Sequence, residues 1–156
     1  DVGFGLGTTL YNIKNQLKVY ETYNPSNNLP LNLSYWGNLQ HINYYGIEID
    51  RDLIDKFNQY LSIMWDNSLN LYQKDCMDIS YKDYDLILIY TIFKDKLKRK
   101  EMYKKILREM KPGAILYEHM FNGYGEDAIL HNLANQYDIE TKQLLFGNCV
   151  NEIIIK

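Results

Sequence analysis

The stretch "YDLILIYTIF", residues 84 to 93, decides the fold class of this 156-residue chain. Its apolar residues run on without the alternation of a half-exposed strand, so it reads as a strand buried on both faces. Such a strand belongs inside a parallel sheet with helices on each side.

The flanking segments supply those partners. Upstream, "YYGIEI" (44–49) is a short apolar strand. "DRDLIDKFNQYLSIMW" (50–65) follows it and sets Leu53, Ile54, Phe57, Tyr60, Leu61 and Met64 on one helical stripe, with Asp50 as the N-cap. "LNLYQKD" (69–75) is a second strand. The link from it to residue 84 is too short for a helix, but about nine extended residues reach about 30 Å and can cross the sheet. Downstream, "KDKLKRKEMYKKILREM" (94–110) is a helix whose Tyr103, Ile106, Leu107 and Met110 face the core, stopped by "KPG". "AILYEHM" (114–120) is a strand and "EDAILHNLANQY" (126–137) a helix. "TKQLLFG" and "NEIIIK" are strands joined by "NCV" (148–150), a link that permits only antiparallel neighbours. The order defines an α/β fold: a Rossmann-like, doubly wound, mostly parallel sheet with an antiparallel strand pair at its C-terminal end.

At the start stands "DVGFGLG" (1–7), with Gly3, Gly5 and Gly7 at alternate positions. Alternating glycines weaken a packed strand but suit a turn where backbone approaches a ligand closely. Thr8 or Thr9 can cap the helix that follows, which carries Leu10, Ile13 and Leu17 on one face. A helix N-terminus therefore faces the turn and favours the anionic or electron-rich end of a ligand. Residues 20–43, rich in Asn and holding Pro25 and Pro30, read as an irregular insertion or lid within a single domain spanning 1–156.

Composition narrows the partners. A net charge of −3 gives no global footprint for nucleic acid or an anionic membrane, and the apolar runs are too short to span a bilayer. The basic run in 94–105 is interspersed with acidic residues and reads as a solvated helix face. Cys76 and Cys149 make neither a disulfide framework nor a metal cluster; they read as reduced structural thiols of a cytoplasmic protein, and no metal site is expected.

In a doubly wound sheet, ligands bind at the C-terminal ends of the strands. The residues there are Asp1 with the glycine turn, Glu48 in "GIEID", Asp75 in "KDCMD", Tyr90 in "IYTIF", and Glu118 with His119 in "YEHM". With this set the chain resembles the class I S-adenosylmethionine-dependent methyltransferases over essentially its whole length. The resemblance implies that Asp1, Gly3, Gly5 and Gly7 wrap the methionine part of the cofactor and that Glu48 binds the ribose hydroxyls. It further implies that Ile49 packs on adenine, and that Asp75, with the Cys76 backbone beside it, receives the adenine amino group. The residue types suit the task, since one carboxylate can accept both ribose hydroxyls and a second can accept an adenine N–H. Asp50 reads as a helix cap rather than a ligand. Tyr90 and His119 are the candidate catalytic residues, with Glu118 as a further acid or base.

Two alternatives stand beside a methyltransferase. A nicotinamide enzyme of the same fold needs G-x-G-x-x-G, and Thr8 stands where the third glycine belongs. A catalytically inactive, cofactor-binding interaction module would keep the same glycines and acids. The methyltransferases that act on DNA or glutamine amino groups carry an Asn or Asp, two prolines and an aromatic after the fourth strand. "IYTIF" departs from that pattern, so a protein or small-molecule acceptor is expected ahead of nucleic acid. The resemblance also implies that Asp1 closes a central strand whose body lies before it. The chain is therefore expected to be a fragment with that strand largely missing, and to fold poorly alone.

Overall fold

The run at 84–93 forms β3 (Leu86–Tyr90), with both faces covered. Ile87 and Ile89 pack into a cluster with Met102, Tyr103, Ile106, Leu130 and Leu133, while Leu88 on the opposite face meets Leu10, Phe57 and Trp65. This is the continuous-run argument realised in space: alternate residues point to opposite faces, and each face has its own helices. The computed structural model describes residues 1–3, 5, 7, 10–15, 42–65, 68–90, 95–119, 129–146 and 149–156. All but Ile42 and Asn43 of the expected lid at 20–43 lie outside these residues, as do Thr8, Thr9, Leu17 and Thr91 to Phe93.

The elements follow in the expected order. Helical residues 10–15 (α1) precede β1 (Tyr44–Glu48), α2 (Arg51–Tyr60) and β2 (Leu69–Gln73). After β3 come α3 (Lys96–Glu109), β4 (Ile115–His119), α4 (Ile129–Gln136), β5 (Glu140–Phe146) and β6 (Cys149–Ile155). β1 pairs with β2 in parallel, and β3 with β4 in parallel; β6 runs antiparallel to both β4 and β5. Between β1 and β3 stands Val2, which makes a parallel bridge to Ile47 on one side and to Ile89 on the other. The resulting row is β2, β1, Val2, β3, β4, β6, β5. Among the described residues, Val2 is the one that bridges both β1 and β3.

Local chemistry sets the helix boundaries. Asp50 caps α2 by accepting from the Asp52 and Leu53 amides at 2.9 and 3.4 Å, and Asp95 caps α3 through the Leu97 and Lys98 amides. α3 stops before Pro112, and Gly113 adopts a φ of 81°, which lets the chain turn into β4. Tyr103, Ile106, Leu107 and Met110 are all buried as expected, each large apolar side chain contributing roughly 1.5–3 kcal/mol.

Four details differ from the sequence reading. The stripe of α2 does not continue to Met64, because the α-helix ends at Tyr60 and Ser62–Trp65 winds as a 3₁₀ turn. The tighter winding swings Trp65 into the core and leaves Met64 41% exposed, while Tyr60, in the last turn of α2 itself, is 66% exposed. The link after β2 is not fully extended but holds a 3₁₀ turn at Cys76–Asp78. Cys149 and Val150 belong to β6 rather than to the connection, since the ladder closes on the pair Phe146↔Cys149. Arg99, in the run read as a solvated face, is buried on α3.

Candidate functional site

The C-terminal ends of the parallel strands meet around the glycine turn. Gly3, Gly5 and Gly7 have φ values of 72°, 55° and 71°, the left-handed region where a side chain is disfavoured. Three backbone bonds stitch the turn's base into the sheet: the Val2 amide donates to Leu88 at 2.8 Å, the Gly3 amide to Ile47 at 3.1 Å, and the Ile47 amide to the Asp1 carbonyl at 2.9 Å. The strand ends thus fix where the turn emerges, and three glycines let it curl back.

Glu48 ties the turn to β1. Its Oε2 accepts from the Gly5 amide at 2.8 Å, and its Oε1 accepts from the amides of Ile49 and Asp50 at 2.8 and 3.0 Å. The side chain is buried. A carboxylate offers about four lone-pair directions, so three N–H donors leave room for one more. Beside it, Ile49 is 63% exposed, an apolar side chain presented to solvent at the end of the strand.

Asp1 sits at the root of the same turn. Its carboxylate Oδ1 is buried and has no hydrogen-bond partner. Its backbone nitrogen donates to the Tyr45 carbonyl at 2.8 Å.

Past β2, Asp75 caps the 3₁₀ turn by accepting from the Met77 amide at 2.9 Å. The Lys74 amide, next to it, donates to the Glu48 carbonyl at 3.0 Å, which brings the ends of β1 and β2 together. The Cys76 thiol is buried 3.8 Å from Met102 Sδ and pushed up to about 12, first by burial and then by the neighbouring Asp75 charge. It is a packed thiol and not a nucleophile. The Cys76 carbonyl accepts from the Tyr81 hydroxyl at 2.9 Å.

Tyr90 and His119 close β3 and β4 as register partners, which puts the two backbones side by side at the same edge; their side chains lie outside the described residues. Glu118 points elsewhere. It is 1% exposed and accepts from the Tyr103 hydroxyl of α3, so it faces the interior rather than an open pocket.

Some residues that shape the site carry no sequence signal. Tyr81 donates through its hydroxyl to Cys76 and through its amide to Glu109, pinning the Asp75 turn onto α3. Lys14 is buried, with Nζ donating to Ser68 Oγ at 2.8 Å and lying 5.0 Å from the Trp65 ring centre. Helical spacing beside Leu10 and Ile13 could have placed Lys14 inward; the charge argues the other way.

The chain matches no family model, and no curated protein matches it in sequence. Solved structures do match in fold. A provisionally assigned methyltransferase from Thermoplasma acidophilum superposes with a TM-score of 0.63 at 18% identity, covering 99% of this chain and 66% of that one. An O-methyltransferase family protein from Burkholderia thailandensis gives 0.67 at 11%, over 100% and 49%. An RNA methyltransferase from Salinibacter ruber, solved with S-adenosyl-L-homocysteine, gives 0.59 at 14%, over 99% and 78%. The chain has the Rossmann-like fold of the class I methyltransferases, and it spans from about half to about four-fifths of these three chains. Among the described residues, no helix is long and apolar enough to cross a membrane.

Proposed function

We propose that residues 1–156 form a single S-adenosylmethionine-binding domain of a cytoplasmic methyltransferase. The observation that carries this reading is the turn itself: three left-handed glycines, bonded through Gly5 to the Glu48 carboxylate, stand beside the unpartnered Asp1 Oδ1. A buried carboxylate oxygen without a donor is costly, and a ligand ammonium group satisfies it.

The residues present fit the cofactor group by group. Asp1 takes the ammonium of the methionine part, and the Gly3–Gly5–Gly7 backbone curls against its chain. The remaining lone-pair direction on Glu48 takes a ribose hydroxyl. Ile49 offers an apolar face to adenine, and Asp75 with the Cys76 backbone takes its amino group. When bound, S-adenosylmethionine supplies a methyl group on a sulfonium, a leaving group that needs no further activation. What the chain must add is position and dryness: it holds donor and acceptor in line and keeps water out. Tyr90 and His119, at the ends of β3 and β4, are the residues assigned to the acceptor side. The acceptor class supported by "IYTIF" is a protein or a small molecule.

Calorimetric titration with S-adenosylmethionine and with NAD tests the reading. Binding of the first and not the second is expected. Glu48→Ala abolishes that binding, whereas Asp50→Ala costs about 1 kcal/mol of stability through the lost cap and leaves affinity in place. Equal loss of affinity in both variants refutes the assignment of Glu48.

A further inference from the structure

α3 and its ends concentrate positive charge in an acidic chain. Residues 95–111 hold eight of the seventeen lysines and arginines but three of the twenty acids, a net +5, while the rest of the chain carries −8. A solvated helix face gains by setting acids four residues from bases. Here Lys96, Lys100, Lys104 and Arg108 follow one another at that spacing, with Lys111 three residues further on. The helical period sets these five along one ridge about 22 Å long, where neighbouring like charges repel. The ridge lies outside the stripe of Met102, Tyr103, Ile106, Leu107 and Met110 that α3 buries. Two of its cations are answered within the chain at the surface: Lys104 pairs with Glu101 at 2.8 Å and Lys111 with Asp85 at 2.7 Å. Lys100 and Arg108 are exposed and have no ion pair among the described residues.

We infer that this ridge docks the phosphate backbone of a nucleic acid. Phosphates supply the countercharge that the chain lacks there, and their neutralisation releases condensed counterions. An anionic membrane is a poorer match, because a helix lying in a bilayer interface immerses an apolar face. The apolar face of α3 is buried in the core, and Leu97 is its one exposed large apolar side chain among the described residues. An acidic protein is also a poorer match, since protein interfaces are built around aromatic and apolar anchors and are depleted in lysine. Point charges without such anchors suit phosphate contacts, which position a nucleic acid without reading its bases. α3 follows β3, so the ridge starts at the strand ends that carry the site. Docking there is separate from methyl acceptance, which stays with the protein or small molecule assigned above.

Fluorescence anisotropy of the folded chain with a labelled RNA duplex of about 20 base pairs, at 50 and 200 mM salt, tests the ridge. No cofactor is added, so the outcome is separate from that of the methyltransferase reading. Binding is expected, with an affinity that falls roughly 40-fold between the two salts, as for about three neutralised phosphates. A second duplex of unrelated sequence binds equally. The triple variant Lys100→Gln, Lys104→Gln, Arg108→Gln keeps helix propensity and Tm but flattens the logarithmic salt slope by about three. Glu101→Gln, which releases Lys104, tightens binding and steepens the slope by about one. No binding at 50 mM salt overturns the proposal, as does unchanged binding in a triple variant that melts with the parent chain. If the triple variant melts lower, Glu101→Gln decides, and unchanged or weaker binding there overturns it. Polyglutamate or phosphatidylserine vesicles that displace the duplex at equal charge concentration also overturn it, in favour of an acidic protein or a membrane.

Discussion

Glu48 accepts three backbone amides and Asp1 Oδ1 accepts none, and this contrast between two neighbouring carboxylates is where the chemistry begins. The first carboxylate fixes the turn; the second waits for a donor.

At the scale of elements, the glycine turn and α3 make the clearest predictions. Gly5→Ala puts a Cβ at a φ of 55°, costing roughly 1–2 kcal/mol and weakening cofactor binding more than Asp50→Ala does. Thermal melting and the titration read the two effects separately. Tyr103→Phe removes the hydroxyl that donates to buried Glu118, so stability falls by about 1.5–3 kcal/mol in denaturant unfolding. Much of α3 was legible in the sequence, because Tyr103, Ile106, Leu107 and Met110 repeat at helical spacing and a Pro-Gly pair ends it. Arg99 was not, since spacing alone gives no reason to bury a guanidinium. The end of α2 was misread for a related reason. A 3.6-residue period extrapolates through Leu61 to Met64, and nothing in those side chains announces a switch to 3₁₀ winding that buries Trp65 instead. Glu118 shows the same limit in the site: strand alternation gives two faces, and the buried Tyr103 hydroxyl draws Glu118 to the inner one.

At the scale of the molecule, the sheet row β2, β1, Val2, β3, β4, β6, β5 explains why the site can be organised at one end and open at the other. Val2 and Gly3 bond the upper ends of β1 and β3, which positions the glycine turn, Glu48 and Asp1. Below them, among the described residues, no backbone hydrogen bond joins the two strands, and a cavity of about 660 Å³ lies between them. The order of elements along the chain and the antiparallel end were readable from the pattern of apolar runs and link lengths. The cavity's lining was not, because it depends on how α1 and the Tyr81–Tyr84 loop close over the two faces. The central claim is that the organised end holds S-adenosylmethionine. Its most direct test is calorimetric titration of the folded chain, with folding checked by amide exchange. The account predicts saturable one-to-one binding of S-adenosylmethionine that is lost in Glu48→Ala, with no binding of NAD. A folded chain that takes up no S-adenosylmethionine, or binds NAD more tightly, contradicts it.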